Sequence, residues 1–178
     1  MSEELIDVLT SDGFPTGIRK TKSEVHRDGD WHRAAHVWIV TPDGRVLLQR
    51  RSTRKENYPG QWDVSAAGHL SAGESAVEAA IREMQEEIGL EIQPAALQHV
   101  LTTREQAVLK AGRYLDNEIY EVFIVRRAID LASLRLDPAE VDEVRLMTVA
   151  ELRSRIAGHD PSFVPHRDEY AALMKCLA

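Results

Sequence analysis

The sequence has a single cysteine, no long apolar run and no excess of basic residues. Its lone thiol, Cys176, rules out an internal disulfide or a cysteine zinc cluster and fits a reducing cytoplasm. The net charge of −7 argues against a nucleic-acid polymer or an anionic membrane as partner. No apolar run approaches the ~20 residues of a membrane helix, and the acidic start MSEELIDVLT has no export signal. We therefore expect a cytoplasmic protein.

The composition is that of a folded domain. The length of 178 residues suits one hydrophobic core. Hydrophobic residues make up 43% and charged residues 29%, as in globular rather than disordered chains. No repeat, low-complexity tract or linker divides the chain. We predict one domain over residues 1–178, and the sequence leaves open whether it is a monomer or a homodimer.

Local patterns predict strands on both sides of one strong helix. The apolar run AAHVWIV, the turn at Asp43 and Gly44 and the run RVLLQR form a hairpin. A helix is expected from about Ser75 to Ile88, with Gly89 as its C-cap. Further strands are predicted before Gly68 and in LQHVLTTREQAVL, YLDNEIYEVFIVRRA and DPAEVDEVRLMTV, and helices in AELRSRIA and HRDEYAALMKCLA. Together these elements predict a mixed α+β or α/β sandwich.

The predicted helix carries acidic residues on one side. At the helical period, Glu83, Glu86 and Glu87 share one face, while apolar residues take much of the other. Like charges at this spacing destabilise an isolated helix. A divalent cation reverses that effect, because Mg²⁺ prefers carboxylate oxygens and often bridges to phosphate. The alternative interpretation is an ordinary solvated acidic face.

The spacing of fixed residues is more specific than the acids alone. Gly68 is followed after five residues by Glu74 and after seven more by Arg82 and Glu83, and Glu86, Glu87 and Gly89 complete the pattern. This pattern resembles the signature of the Nudix hydrolases. The resemblance implies a Nudix α/β/α sandwich with a mixed sheet and a central glutamate-rich loop–helix–loop. It also implies Mg²⁺- or Mn²⁺-dependent hydrolysis of a small-molecule substrate, a nucleoside diphosphate derivative or a related organic diphosphate.

The resemblance assigns roles by position. The implied catalytic set is Glu74, Arg82, Glu83, Glu86 and Glu87. Within it Arg82 and Glu74 form a supporting ion pair, and the other three glutamates bind metal together with Gly68. The metal would neutralise the diphosphate and lower the pKa of an attacking water. The general base is left open among Glu83, Glu86, Glu140, Asp142 and Glu143.

A second resemblance covers roughly residues 5–125. The segments DVLTSDG, KSEVHRDGDWHRAAHVWI, LLQRRSTRKENYPGQWDVSAAGH and DNEIYEVF are similar to isopentenyl-diphosphate isomerases of the same superfamily. This likeness implies a further metal site at His26, His32, His69, Asp116 and Glu118. Three imidazoles with two acids on one strand face suit a mixed nitrogen and oxygen site. Any one histidine is otherwise a surface or capping residue; we expect His26 in a charged loop and interpret His36, His99, His159 and His166 as structural.

The chain departs from the isomerases in two features. An isomerase needs a cysteine just before the Gly-His pair, and this chain has Ala67 there. The isomerase resemblance also implies a degenerate glutamate helix, whereas the helix here is complete. We therefore predict a hydrolase on an isomerase-like frame. The alternatives are an isomerase-like enzyme acting on a prenyl diphosphate and a non-catalytic diphosphate-binding module.

Basic residues after the run RVLLQR are candidates for binding the diphosphate. The set that resembles the isomerase grip is Lys22, Arg50, Arg51, Arg54 and Lys55. A guanidinium can bind two phosphate oxygens at once. We prefer Arg51 and Lys55 as residues that bind the diphosphate, because an ordinary basic loop explains Arg54 equally well. Trp31 and Trp62 are candidates for stacking on a base or covering a prenyl chain, or are core residues.

Overall fold

The computed structural model describes residues 4–177. Residues 1–3 and 178 of the predicted domain lie outside the described residues. Residues 1–3 are also the start of the stretch MSEELIDVLT, in which no export signal is expected. The described strands are β1 (Leu5–Leu9), β2 (Pro15–Thr21), β3 (Trp31–Val40), β4 (Arg45–Arg51), β5 (Trp62–Asp63), β6 (Ala66–His69), β7 (Gln98–Leu109), β8 (Tyr114–Arg126) and β9 (Val141–Thr148). The described helices are α1 (Lys22–Asp28), α2 (Ala76–Ile88), α3 (Val149–Ala157) and α4 (Arg167–Cys176). None of these helices is long and apolar enough to cross a membrane.

Strand β3 is the centre of a mixed sheet. It pairs in parallel with β8 along its whole length, from Trp31 opposite Asn117 to Val40 opposite Arg126. It pairs antiparallel with β1, β4 and β6, while β7 extends the sheet beyond β8 and β9 extends it beyond β4. This register brings the start of β3 beside the acidic start of β8.

Alternate side chains of β3 enter two separate cores, as the pleat of a strand requires. Trp38 belongs to one core, which includes Leu152 of α3 and Leu173 of α4. Val37 belongs to the other, which includes Met84 of α2. Helices therefore cover both faces of the sheet, and the predicted α/β/α sandwich is confirmed.

Local signals define both ends of α2. The hydroxyl of Ser75 accepts a hydrogen bond from the backbone N–H of Glu78, and the Glu78 carboxylate accepts one from the backbone of Ser75. Gly89 ends the helix with a φ of 68°, a left-handed conformation that favours glycine. A side chain at Gly89 would also collide with Arg135. The predicted helix is thereby confirmed, with Ser75 as its N-cap.

The sequence analysis predicts a charged loop at His26. This prediction is wrong, because His26 lies in a helix. Helix α1 has 7 residues; Thr21 and Glu24 form a capping box at its start, and Gly29 ends it with a φ of 70°. A helix this short shows no clear apolar period, so only its caps reveal it. The helix holds the His26 ring in a buried position.

Candidate active site

A cleft of about 320 Å³ opens at one side of the sheet. Side chains from α1, β3, β6 and β8 line it, together with the loop after β4 and the segment before α4. Most of these side chains are polar or charged. The lining therefore suits a polar, charged ligand better than an apolar one.

The histidines and acids predicted as a metal site lie together at the cleft. Parallel pairing sets His32 of β3 opposite Glu118 of β8, and the β3–β6 pairing sets Ala34 opposite His69. His26 comes from α1, and the ring centroids of the three histidines are 4.8, 5.1 and 5.0 Å apart. We call this set the histidine cluster: His26, His32, His69, Asp116 and Glu118.

Several atoms that face the middle of the histidine cluster have no hydrogen-bond partner. Nδ1 of His26 donates to the carbonyl of Lys22 at 2.7 Å, and Nδ1 of His32 donates to that of Asp30 at 3.0 Å. A carbonyl only accepts, so Nδ1 carries a proton in both rings, and in the neutral form of each ring Nε2 presents a lone pair. Both Nε2 atoms and Oδ1 of Asp116 are buried and unpartnered. Metal-ligating histidines have this arrangement, with the second ring nitrogen fixed by a carbonyl.

Carboxylate oxygens lie close to these nitrogens. Oδ1 of Asp116 is 3.2 Å from Nε2 of His26, and Oε1 of Glu118 is 3.0 Å from Nε2 of His69 and 3.5 Å from Nε2 of His32. Burial lowers the pKa of His69 to about 3, so its imidazole is neutral. Burial would raise the pKa of Glu118, but His32 and His69 hold it well below its ordinary value. A neutral imidazole and an ionised carboxylate are the forms that bind metal.

Arg82 ties the glutamate face of α2 to strand β6. Its Nε and Nη2 donate to the two oxygens of Glu74, each at 2.9 Å. Its Nη1 donates to Glu83 at 2.6 Å and to Glu86 at 3.1 Å, and Nη2 also donates to the carbonyl of His69 at 2.9 Å. The guanidinium therefore fixes the helix to the strand and offsets the charge of its glutamates.

Glu83 and Glu87 face β6. The Glu83 carboxylate lies so close to Gly68 that any side chain at this position would overlap it. Glu87 is 3% exposed, and its Oε2 accepts from Nε2 of Gln49 at 2.9 Å and from the backbone N–H of Ala67 at 3.0 Å. Burial and the nearby charge of Glu83 raise the pKa of Glu87 to about 8. Both carboxylates thus meet the strand that forms a wall of the cleft.

The two acidic regions fit a cation differently. The side chain of Glu86 is 58% exposed and faces solvent. Among the described residues, two sets of three possible ligand atoms that lie within 4.8 Å of one another come from the histidine cluster. No such set in the described part of the chain is made of the helix glutamates. The cluster offers nitrogen and oxygen donors, which suit Mn²⁺ or a similar transition ion, whereas the helix offers the oxygens that Mg²⁺ prefers.

Basic side chains also line the cleft. They are Lys22, Arg51, Arg54 and Lys55. Nη1 of Arg51 donates to Oδ2 of Asp63 at 2.9 Å, and Lys55 forms an ion pair with Glu140. Arg50, the neighbour of Arg51 on β4, pairs instead with Glu143 at 3.3 Å. Successive strand residues point to opposite faces, so Arg50 is not among the described residues of the lining.

Comparison with known proteins identifies the family. A profile of the NUDIX domain matches residues 30–167. The chain belongs to the Nudix family. It is 40% identical over 182 residues to Nudix hydrolase 3 of Arabidopsis thaliana, an alignment that covers 99% of the chain but only 24% of that protein. It is 31% identical over 153 residues to the isopentenyl-diphosphate Delta-isomerase of Streptomyces griseus, covering 86% of the chain and 75% of the isomerase.

Solved structures share the Nudix fold. The crystal structure of DR0079 from Deinococcus radiodurans has a TM-score of 0.71 at 19% identity and covers 98% of this chain and 97% of its own. The NUDIX domain of Shewanella oneidensis NrtR, solved with ADP ribose, has a TM-score of 0.61 at 14% identity and covers 82% and 88%. At these identities the likeness shows the fold alone. With hydrolases and isomerases as relatives, the predicted isomerase-like branch is confirmed, and we class the chain as a Nudix hydrolase.

Two histidines that the sequence analysis interprets as structural also line this Nudix cleft. They are His36 and His166, each 5% exposed. His36 follows His32 by four positions on β3, so strand alternation places both on one face, and this period was an available signal. His166 had no such signal, because its partner Asp63 is 103 positions away in the chain.

Proposed function

We propose that this Nudix protein hydrolyses the diphosphate bond of an organic diphosphate, of the nucleoside type or a related one, with Mg²⁺ or Mn²⁺. The observation that carries the proposal is the placement of Glu83 and Glu87 against Gly68 and Ala67 of β6, which line a cleft together with basic residues. Phosphoryl chemistry depends on positive charge placed around the phosphate and on a positioned nucleophile. The names of the relatives support the same reaction class.

Each group has a separate role in this reaction. Glu83 and Glu87 would hold a cation from the side of α2, and the histidine cluster would offer a further position at the cleft. A bound cation would neutralise the diphosphate and lower the pKa of the attacking water. Arg51 and Lys55 bind phosphate oxygens, and Asp63 keeps the Arg51 guanidinium in place through its hydrogen bond.

The better candidates for the general base are Glu83, whose carboxylate lies against Gly68 of the cleft lining, and Glu140, which is itself a lining residue. Asp142 and Glu143 are not among the described lining residues, whereas Glu140 is. Glu86 faces solvent. The pH profile of kcat separates the two candidates, because the variant that lacks the base loses the acidic limb of that profile. We would compare Glu83→Gln with Glu140→Gln in this assay.

A second candidate function is isomerase-like chemistry on a prenyl diphosphate, which the histidine cluster favours. Proton transfer at carbon needs the thiol that an isomerase carries before its Gly-His pair. Ala67 occupies that position and its backbone N–H donates to Glu87, while Cys176 is exposed on α4. Hydrolysis needs no thiol, so it is the better-supported function.

The test is release of phosphate and pyrophosphate from nucleoside and prenyl diphosphates with Mg²⁺ or Mn²⁺. We expect turnover by the wild type and a loss of at least ~100-fold in Glu87→Gln, because a metal-binding carboxylate becomes a neutral amide. The matched control is Glu91→Gln, an exposed glutamate four positions further along the chain. Equal turnover in Glu87→Gln contradicts the proposal. Double-bond migration seen by NMR without phosphate release would favour the isomerase, and binding without either reaction would favour a binding module.

A further inference from the structure

The two carboxylate oxygens of Glu118 have different neighbours. Oε1 lies 3.0 Å from Nε2 of His69 and 3.5 Å from Nε2 of His32. Oε2 accepts a hydrogen bond from the hydroxyl of Tyr120 at 2.8 Å. One oxygen therefore faces the imidazoles of the histidine cluster, while a residue outside that cluster holds the other.

The strand brings Tyr120 within reach of Glu118. The two residues are two positions apart on β8, so their side chains point to the same face of the sheet. Positions two apart on a strand are separated by about 7 Å along it. The long tyrosine side chain spans this distance, which a serine or threonine hydroxyl on the same position would not. The hydrogen bond therefore depends on a tyrosine at position 120.

The Tyr120 ring is itself held in place. It is 6% exposed and stacks on the His36 ring, with centroids 4.2 Å apart and planes inclined by 27°. Its other ring neighbour is His166, which it meets edge-on at 5.7 Å. The hydroxyl is therefore aimed at Glu118 before any cation binds, which lowers the entropy cost of ordering that carboxylate.

The support behind Tyr120 extends into the hydrophobic core. Nδ1 of His36 lies 2.8 Å from Oε2 of Glu169 on α4. Oε1 of Glu169 accepts a hydrogen bond from Nε1 of Trp38 at 2.6 Å, and Trp38 packs in the core that α3 and α4 cover. The contacts thus run from the core through His36 and Tyr120 to Glu118 of the histidine cluster.

A second tyrosine shows what a purely structural hydroxyl does. Tyr170 is 4% exposed, and its hydroxyl donates to the backbone carbonyl of Val164 at 2.8 Å. Burial and bond length thus match those of Tyr120, but the acceptor differs. A backbone carbonyl is fixed by the chain, whereas a carboxylate can rotate about its side-chain bonds. Only the loss of the Tyr120 hydroxyl would therefore free a residue of the histidine cluster to turn.

We propose that Tyr120 is a positioning residue for a cation in the histidine cluster, because its hydroxyl holds Glu118 with Oε1 towards the imidazoles. Tyr120 acts through Glu118 and is not itself a ligand. This inference rests on the proposed function, in which the cluster would hold a cation, and it adds a residue that sets the affinity for that cation. Partners of this kind, which orient a metal ligand, change metal affinity by ~10–100-fold when they are lost.

The first experiment is calorimetry of Mn²⁺ binding to the metal-free protein. Tyr120→Phe removes the hydroxyl and keeps the ring that stacks on His36. We expect its Kd for Mn²⁺ to rise by ~10-fold or more. Tyr170→Phe, the matched control, should leave this Kd unchanged. His32→Gln identifies the site, since it should weaken the same binding step as Tyr120→Phe.

A second measurement separates positioning from a general loss of stability. Each tyrosine variant removes a buried hydrogen bond, so both should unfold at lower urea concentration than the wild type without metal. Saturating Mn²⁺ raises the unfolding midpoint of a protein that binds it in the folded state. At one subsaturating Mn²⁺ concentration, Tyr120→Phe should lose part of that rise and Tyr170→Phe should keep it.

The outcomes distinguish this inference from the proposed function. Equal or tighter Mn²⁺ binding in Tyr120→Phe, or equal weakening in Tyr170→Phe, overturns the role of Tyr120, and hydrolysis still stands if the wild type releases phosphate. Weaker Mn²⁺ binding in Tyr120→Phe alone supports the role. If the wild type then releases no phosphate from any diphosphate, hydrolysis is contradicted and the role of Tyr120 is not. A wild type that binds no Mn²⁺ overturns the role.

Discussion

The histidine cluster places acids in the cleft lining and the glutamate face of α2 places acids against β6, but the two regions satisfy these groups differently. In the cluster, Nε2 of His26 and His32 and Oδ1 of Asp116 are buried without hydrogen-bond partners. On α2, Arg82 and Gln49 already bind the glutamate carboxylates. The first region needs a further group to satisfy its atoms, whereas the second is satisfied by the protein itself. In the metal-free protein, stability should therefore depend more on the glutamate face, whereas the histidine cluster should gain more from a bound cation.

The largest expected effect is on turnover, when the glutamate face of α2 loses a charge. Glu83→Gln keeps the shape of the side chain against Gly68 but removes its charge. We expect kcat to fall by ~100–1,000-fold, because the lost charge would otherwise attract the cation that offsets the diphosphate. The measurement is kcat over a titration of Mg²⁺ and of Mn²⁺, with Glu91→Gln as the exposed control. An unchanged kcat would move the working cation to the histidine cluster.

The next effect concerns cation affinity. His32→Gln removes an unpartnered Nε2 from the histidine cluster, so calorimetry should show Mn²⁺ binding weakened by at least ~10–100-fold. Saturating Mn²⁺ at ~100 times its Kd should stabilise the wild type by ~2.7 kcal/mol, and the variant should lose that gain. His99→Gln, in which the exposed side chain of β7 is changed, serves as the control. Equal Mn²⁺ affinity in His32→Gln and wild type would rule out the cluster as the binding site.

A smaller effect is expected on the stability of the metal-free protein. Arg82→Ala leaves Glu74 and Glu83 without their guanidinium partner. We expect the free energy of unfolding in urea to fall by ~2 kcal/mol, and Arg82→Lys to recover only part, because an ammonium cannot make the paired contacts. Arg153→Ala, on the exposed side of α3, should change stability by less than ~0.5 kcal/mol. A loss in Arg82→Ala no larger than in this control would contradict the role of Arg82.

The smallest expected effect depends on pH. The pKa of Glu87 is raised from 4.5 to about 8, so the folded protein keeps a proton that the unfolded chain releases between these values. The unfolded state binds fewer protons there, and stability from this group falls as pH rises through the window. Glu87→Gln should therefore stabilise the metal-free protein at pH 8 by ~1–2 kcal/mol and have little effect near pH 4.5. The test is urea unfolding with a chelator at both pH values; an equal change at both would refute the shift.

Local signals were enough to predict the glutamate helix and the strand acids. Ser75 and Gly89 cap α2 within the stretch that they define, so neighbouring residues alone reveal its ends. Asp116 and Glu118 needed only strand alternation to be placed on one face of β8. The family resemblance then supplied the sandwich that these elements form, which the structure shows with helices on both faces of the sheet.

The hydrogen bonds of His36 and His166 were beyond prediction because they join distant parts of the chain. His36 meets Glu169 across 133 positions and His166 meets Asp63 across 103 positions. Neither pair lies within a helical turn or a hairpin, so no local period links the partners. Helix α1 was missed for the opposite reason, since its 7 residues are too few for a period to appear.

Tyr120 belongs to both ends of the cleft. Its hydroxyl donates to Oε2 of Glu118 at 2.8 Å, and its ring stacks on His36 with centroids 4.2 Å apart. A cation at Glu118 and an organic group against His36 would therefore share one side chain as neighbour. Because the two binding steps close a thermodynamic cycle, any factor by which the cation tightens binding of the organic group must equal the factor by which that group tightens binding of the cation.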